Sequence, residues 1–275
     1  MSAGTLRRLA LALALALCTA TSNAGTTCVE ANHDADALRR AAQLAVSVRV
    51  ELEAADAPVA LVSRVGTDLS EHGLRYSHAG FAVRDHRDGA WTVVHLLNEC
   101  GTDRSGLFAE GLMNFYLDDL ARDDTRITWI EPETAAALAG LMADERALMR
   151  LHRPRYNLLS PPGSQRSQNS TSWVLEVLDA ATPRHASPSP MRGTPAGAGE
   201  RFRPSTVRIA YGKRIVGGLF ASNIDFSEHP VATRLSGRYP VVTVASILDD
   251  LEGRGLILAT REWRDGAWRA TPGRP

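Results

Sequence analysis

Residues 74–100, LRYSHAGFAVRDHRDGAWTVVHLLNEC, constrain the fold more than any other stretch. Two strand-like runs, each carrying one histidine among apolar neighbours, flank turn-forming residues. Alternate residues of a strand share a face. Tyr76, His78, Gly80 and Ala82 therefore fall on one side of the first run, and Trp91, Val93, His95 and Leu97 on one side of the second. A two-residue turn at His86-Arg87 sets His78 opposite His95. A turn at Asp88-Gly89 sets Ala82 opposite His95 and still leaves both histidines on one face. A three-residue loop separates them. Gly80 offers no side chain beside His78, and a glycine inside a strand often marks close approach by another group. Two readings stay open: a site, or two core histidines bonded to backbone carbonyls.

The N-terminus bears on compartment. MSAGTLRRLALALALALCTATSNA runs from Arg7 and Arg8 through a Leu/Ala stretch to a small-residue end at Ala24. This is the order of a secretory signal peptide, 1–24, with cleavage near Ala24. The apolar run is about half of the roughly twenty residues a spanning helix needs, which argues against an anchor, and the bulky Leu17 before Cys18 argues against lipidation. The mature chain, 25–275, is expected to be periplasmic or secreted with no transmembrane segment. Loss of Arg7 and Arg8 turns equal totals of 31 basic and 31 acidic residues into a net of about −2. With no basic stripe, nucleic acid is not expected as a partner. Cys28 and Cys100 remain as an even pair in an oxidising compartment. A disulfide is the favoured reading; two free thiols, or Cys100 as a nucleophile, are the alternatives.

Periodicity and capping residues predict helices over 34–55, 105–117, 131–152, 169–181 and from 246, and strands over 58–65, 126–130, 206–211, 219–221 and 241–245. A hairpin turning at Asp265-Gly266 closes the chain. Residues 182–204, rich in Pro, Ser, Gly and Ala, read as a flexible loop. The expected fold is a single α+β domain, an antiparallel sheet packed against helices.

Two histidines need a third group to do chemistry. The chain has no H-x-x-x-H, C-x-x-C or H-x-x-E pattern, so no metal and no other cofactor is expected. Ser170, at the head of the helix bearing Trp173, is the best nucleophile candidate, because a helix N-terminus favours developing negative charge. Asn169, Ser170, Thr171 and Ser172 are also ordinary capping residues. Asp103 and Arg104 read as a cap for the next helix, and His229 as a turn residue.

The runs YSHAGFAV, VVHLLNECGTDRSGLF, PRYNLLS, QNSTSWVLE and FSEHP resemble a family of bacterial exported proteins known as a domain of unknown function. A weaker resemblance is to circularly permuted NlpC/P60 (papain-like) proteins, whose order is a strand with SHxG, a second polar strand residue, and a helix opening on Asn-Cys. That resemblance implies His78 as base, His95 as its orienting residue and Ser170 in the place of the cysteine. The serine is a departure, since a hydroxyl needs far stronger activation than a thiol. The expectation is therefore a papain-like binding or scaffold protein with a histidine-lined cleft, with Tyr76, Gly80, Asn169 and Trp173 contacting an unknown small-molecule or cell-envelope ligand. The alternative is an amide or ester hydrolase or acyl transferase using Ser170, His78 and His95.

Overall fold

The computed structural model describes residues 33–99, 101–117, 120–182, 202–212 and 222–270. The signal segment, Cys28, Cys100 and their expected bridge, most of the 182–204 loop and the expected strand at 219–221 lie outside the described residues.

Seven strands form one sheet: β1 Val59–Val65, β2 His78–His86, β3 Gly89–Asn98, β4 Ser105–Glu110, β5 Arg122–Ile130, β8 Ile257–Arg264 and β9 Ala267–Ala270. Their order is β4-β3-β2-β1-β5-β8-β9, and every pairing is antiparallel. Strands β6 Ser205–Arg208 and β7 Arg238–Val241 pair apart from it. With helices packed around these sheets among the described residues, the fold is α+β, as the segregated patterns predicted.

Both faces of the large sheet are covered. Helix α1, Ala35–Ala54, is capped by the Asp34 carboxylate, which accepts from the Ala37 N–H at 2.7 Å. It buries Ala41, Leu44, Ala45, Val48 and Leu52, whereas Leu38 on the same helix is exposed. With the short helix α2, Leu112–Leu117, it covers Ala60, Val62, Ala82, Trp91, Val93, Ile127 and Trp129. On the other face, α3 Pro132–Ala143, α5 Ser170–Ala181 and α7 Val244–Gly253 pack on Leu61, Phe81, Val94, Leu96 and Ile130. Strand β1, sealed on both sides, has no exposed residue.

Four local expectations change. Residues 105–117 are not one helix: 105–110 pair with β3 from Asn98↔Ser105 to Val93↔Glu110, and only the residues after Gly111 turn helical. The ladder outweighs a weak helical spacing. The helix over 131–152 is two, because Asp144 caps α4, Glu145–Leu151, by accepting from the Ala147 N–H. The last helix starts at Val244, where Thr243 and Ser246 form a reciprocal capping box. The β2–β3 turn is Arg87-Asp88, since His86 pairs with Gly89; neither turn position considered from the sequence is used. The Asp265-Gly266 turn forms as expected, with φ of 51° and 75°, the positive values a type I′ turn requires.

Candidate functional site

The β2–β3 register fixes the histidine geometry. Phe81 pairs with Val94 and Ala82 with Val93, so Gly80 is level with His95 and His78 lies diagonally across. All three point to the α1/α2 face. A Cβ on Gly80 would meet Val93 Cγ1 at 2.7 Å and His95 Cβ at 2.9 Å. The missing side chain makes room for the His95 side chain beside β2, and the group approaching this glycine is His95 itself.

His78 Nε2 lies 2.8 Å from His95 Nδ1, with the rings edge to face. His95 Nε2 lies 2.9 Å from Glu110 Oε1, off the line a straight hydrogen bond needs, so the contact is mainly electrostatic. We assign the His95 proton to Nε2, toward the carboxylate. Its Nδ1 then accepts from the His78 Nε2–H. Phe115 of α2 packs against both imidazoles, tilted to His78 at 5.9 Å and edge to face with His95 at 5.4 Å between centroids. Arg64, the cross-strand partner of His78 on β1, is buried with its guanidinium 4.8 Å from the Phe115 ring centre. Burial holds the His78 pKa well below the ordinary histidine value, with the Arg64 and His95 charges adding to the effect. His78 is thus a neutral imidazole, 7% exposed, and His95 is 0% exposed.

Ser170 is elsewhere. It opens α5, where the Asn169 side chain caps the helix by accepting from the Ser172 N–H at 2.7 Å and donates to the Leu158 carbonyl. Thr171 donates to the Val242 carbonyl. Ser170 acts on Tyr156, whose hydroxyl burial pushes up to about 12 while hydrogen bonding from Ser170 pulls the other way. Trp173 meets Phe81 edge to face. Phe81 is odd-numbered in β2 and His78 even, so Ser170 and Trp173 occupy the face opposite the histidines. The sheet separates the three groups that the sequence placed in one pocket. Tyr76 also changes sides. It precedes β2, strand alternation starts only at His78, and its ring joins the Phe81 core.

Of the expected residues, then, His78, Gly80 and His95 come together, while Tyr76, Asn169, Ser170 and Trp173 do not join them. Two participants were missed. Glu110 hid in a run read as helix; as a strand residue paired with Val93, it shares the His95 face. Arg64 was legible as one charge inside the apolar run PVALVSRV. Asp103 and Arg104 cap no helix; they pair with Arg155 and Glu99. His229 is a buried turn residue, its Nε2 2.7 Å from the Leu159 carbonyl oxygen. Among the described residues, no group of three or more His, Cys, Asp or Glu side chains is placed to hold a metal ion. None of the described helices is long and apolar enough to cross a membrane.

The fold and this site define an antiparallel α+β protein with a buried His–His pair joined to a half-buried glutamate on one sheet face. Residues 51–251 match the model of a family described as an uncharacterised protein conserved in bacteria, DUF2145, and the chain belongs to that family. No curated protein and no solved structure matches it.

Proposed function

We propose that this chain is an exported binding or scaffold protein that uses the histidine pair as structure and performs no serine chemistry. The observation that carries this reading is the sheet between His78 and Ser170. A general base must come within about 2.6–3.2 Å of the hydroxyl it deprotonates. Groups on opposite faces of a paired sheet cannot do so without unzipping it. The imidazoles are also packed under Phe115, which leaves little surface for a substrate. In this reading the permuted papain-like likeness extends to the order of elements and not to turnover, and the ligand is a small molecule or a component of the cell envelope. The order of charges and apolar residues in 1–24 supports export to the periplasm.

The test is labelling of the mature chain with a fluorophosphonate probe, beside Ser170→Ala and His78→Ala. No labelling of any of the three is expected. Labelling of the native chain that both substitutions abolish would establish the hydrolase alternative and overturn this reading.

A further inference from the structure

Strand β4 is one rim of the large sheet, paired with β3 on one side only. A strand residue points its N–H and C=O to the same side, and the side alternates along the chain. The Arg104 carbonyl takes the Glu99 N–H, toward β3. The Ser105 N–H goes the other way, to the Pro154 carbonyl. Even-numbered residues of β4 therefore serve the β3 ladder, and Leu107 and Ala109 turn their backbone groups outward. Among the described residues, nothing accepts from those two N–H groups or donates to those two carbonyls.

Native sheets blunt such a rim with a charge, a proline or a bulge. The other rim, β9, carries Arg269. From Ser105 to Ala109, SGLFA, β4 has none of these, and its register with β3 is unbroken. Phe108 keeps 41% of its surface. The free length is bounded at both ends. Upstream the rim is filled, where Arg104 bridges to Arg155; downstream Gly111 carries the chain out of the strand into α2. The strip that remains, Gly106–Glu110, is complementary to itself in the antiparallel sense. With a two-fold axis at Phe108, Leu107 of one copy faces Ala109 of the other, and the two exchange both N–H···O=C bonds; symmetry repeats the exchange. Phe108 meets its own copy at a non-bonded position, where opposed side chains come closest. Glu110, the one charge in the strip, faces Gly106 of the other copy and lies diagonal to its Arg104, within reach of a long side chain. The second strand departs at its own Gly111, opposite Ser105, where the rim is already filled.

We propose that β4 pairs antiparallel with β4 of a second copy, joining the two large sheets into one across a two-fold axis at Phe108. Backbone hydrogen bonds from Leu107 and Ala109 hold the copies together, and the contacts between Glu110 and Arg104 fix the register. This pairing is independent of the role of the histidine pair.

Sedimentation velocity on the mature chain over a range of concentrations tests this. A strip this short lies at the small end of specific interfaces, so a monomer–dimer midpoint of about 1–100 µM is expected. Ala109→Pro removes an outward N–H and spares the β3 ladder, as a proline on a rim does. Checked by circular dichroism to be folded, it should weaken dimerisation about tenfold, through the loss of two symmetry-related hydrogen bonds. Phe108→Cys tests the register. Opposed non-bonded positions hold Cα atoms about 4.5 Å apart, inside the disulfide range, so mild oxidation should give a covalent dimer that reductant reverses. Ala109→Cys, whose two copies lie about 9 Å apart in this register, should cross-link no more than the native chain, which carries the same Cys28 and Cys100. A monomer at every concentration up to about tenfold above that range, which would leave the rim to a strand of another protein, overturns the proposal. So does a dimer that a folded Ala109→Pro leaves unchanged, or cross-linking from Ala109→Cys in place of Phe108→Cys. If Ala109→Pro does not fold, the two cysteine variants decide.

Discussion

Gly80→Ala tests the contact that sets the histidine geometry. The φ of Gly80 is not positive, so an alanine suits its backbone. On chain entropy alone that substitution would stabilise by about 0.4–1 kcal/mol. The neighbours say otherwise. The new Cβ would lie 2.7 Å from Val93 Cγ1, 2.9 Å from His95 Cβ and 3.1 Å from the Val94 carbonyl oxygen. All three belong to β3, which is held by β2 on one side and β4 on the other, so relief requires an internal strand to move. Overpacking of this kind costs about 1–3 kcal/mol, which leaves a net loss of roughly 0.5–2 kcal/mol after the entropic gain. For a chain of this size that lowers the melting temperature by roughly 2–6 °C. Urea unfolding followed by tryptophan fluorescence reads the change. Val93→Ala removes the nearest atom, so the double variant should recover about 0.5–1 kcal/mol relative to the sum of the singles. A neutral or stabilising Gly80→Ala, additive with Val93→Ala, would refute the crowding argument.

Two further predictions concern charge. His78 has a depressed folded pKa, so the unfolded chain binds more protons once pH falls below about 6.5. The stability that neutral His78 contributes is complete above that pH and is lost below it, at up to about 1.4 kcal/mol per pH unit for one proton. His152 and His229 are shifted the same way and steepen the total slope. Urea unfolding between pH 7.5 and 5 should therefore show a shallower decline in His78→Asn than in the native chain, and equal slopes would contradict the assignment. Arg254 holds α5 to α7, with Nη1 at 3.1 Å from Asp179 Oδ1 and 3.0 Å from Asp250 Oδ2, all three side chains largely buried. Arg254→Met leaves both carboxylates without that guanidinium and should destabilise by about 3–5 kcal/mol in the same assay. A loss below 1 kcal/mol would show the pair to be solvated.

The elements with strong local signals were legible in the sequence. Asp34 before an apolar helical stripe, Pro132 in a first turn, the Asn169 cap and the Asp265-Gly266 turn each act through neighbours a few residues away. What was not legible depended on distant partners. Residues 105–110 became a strand because β3 offers them a ladder. That pairing alone brings Glu110 to His95, so the third member of the His–His–Glu chain was invisible until the sheet was known. The same-face placement of His78 and His95 survived an unconsidered turn, because any two-residue turn preserves parity between the runs. The side occupied by Ser170 has no local signal. Residues 131–168 decide on which face the chain returns, and no spacing within Asn169–Trp173 records that choice.

Strands β5 and β8 lie side by side, yet the bonded pair Arg126 and Glu262 is 136 positions apart. Between them the chain leaves the sheet, builds the α3/α5/α7 layer and returns at Leu256, whose carbonyl takes the Glu131 N–H. A chain emerging N-terminus first, from a ribosome or a translocation pore, therefore presents β5 as a bare rim until the final hairpin arrives. At roughly 5–20 residues per second that wait is on the order of ten seconds. Throughout it the backbone of Ile127 and Trp129 is open to mispairing with other chains, and a truncation ahead of Ile257 would make the exposure permanent.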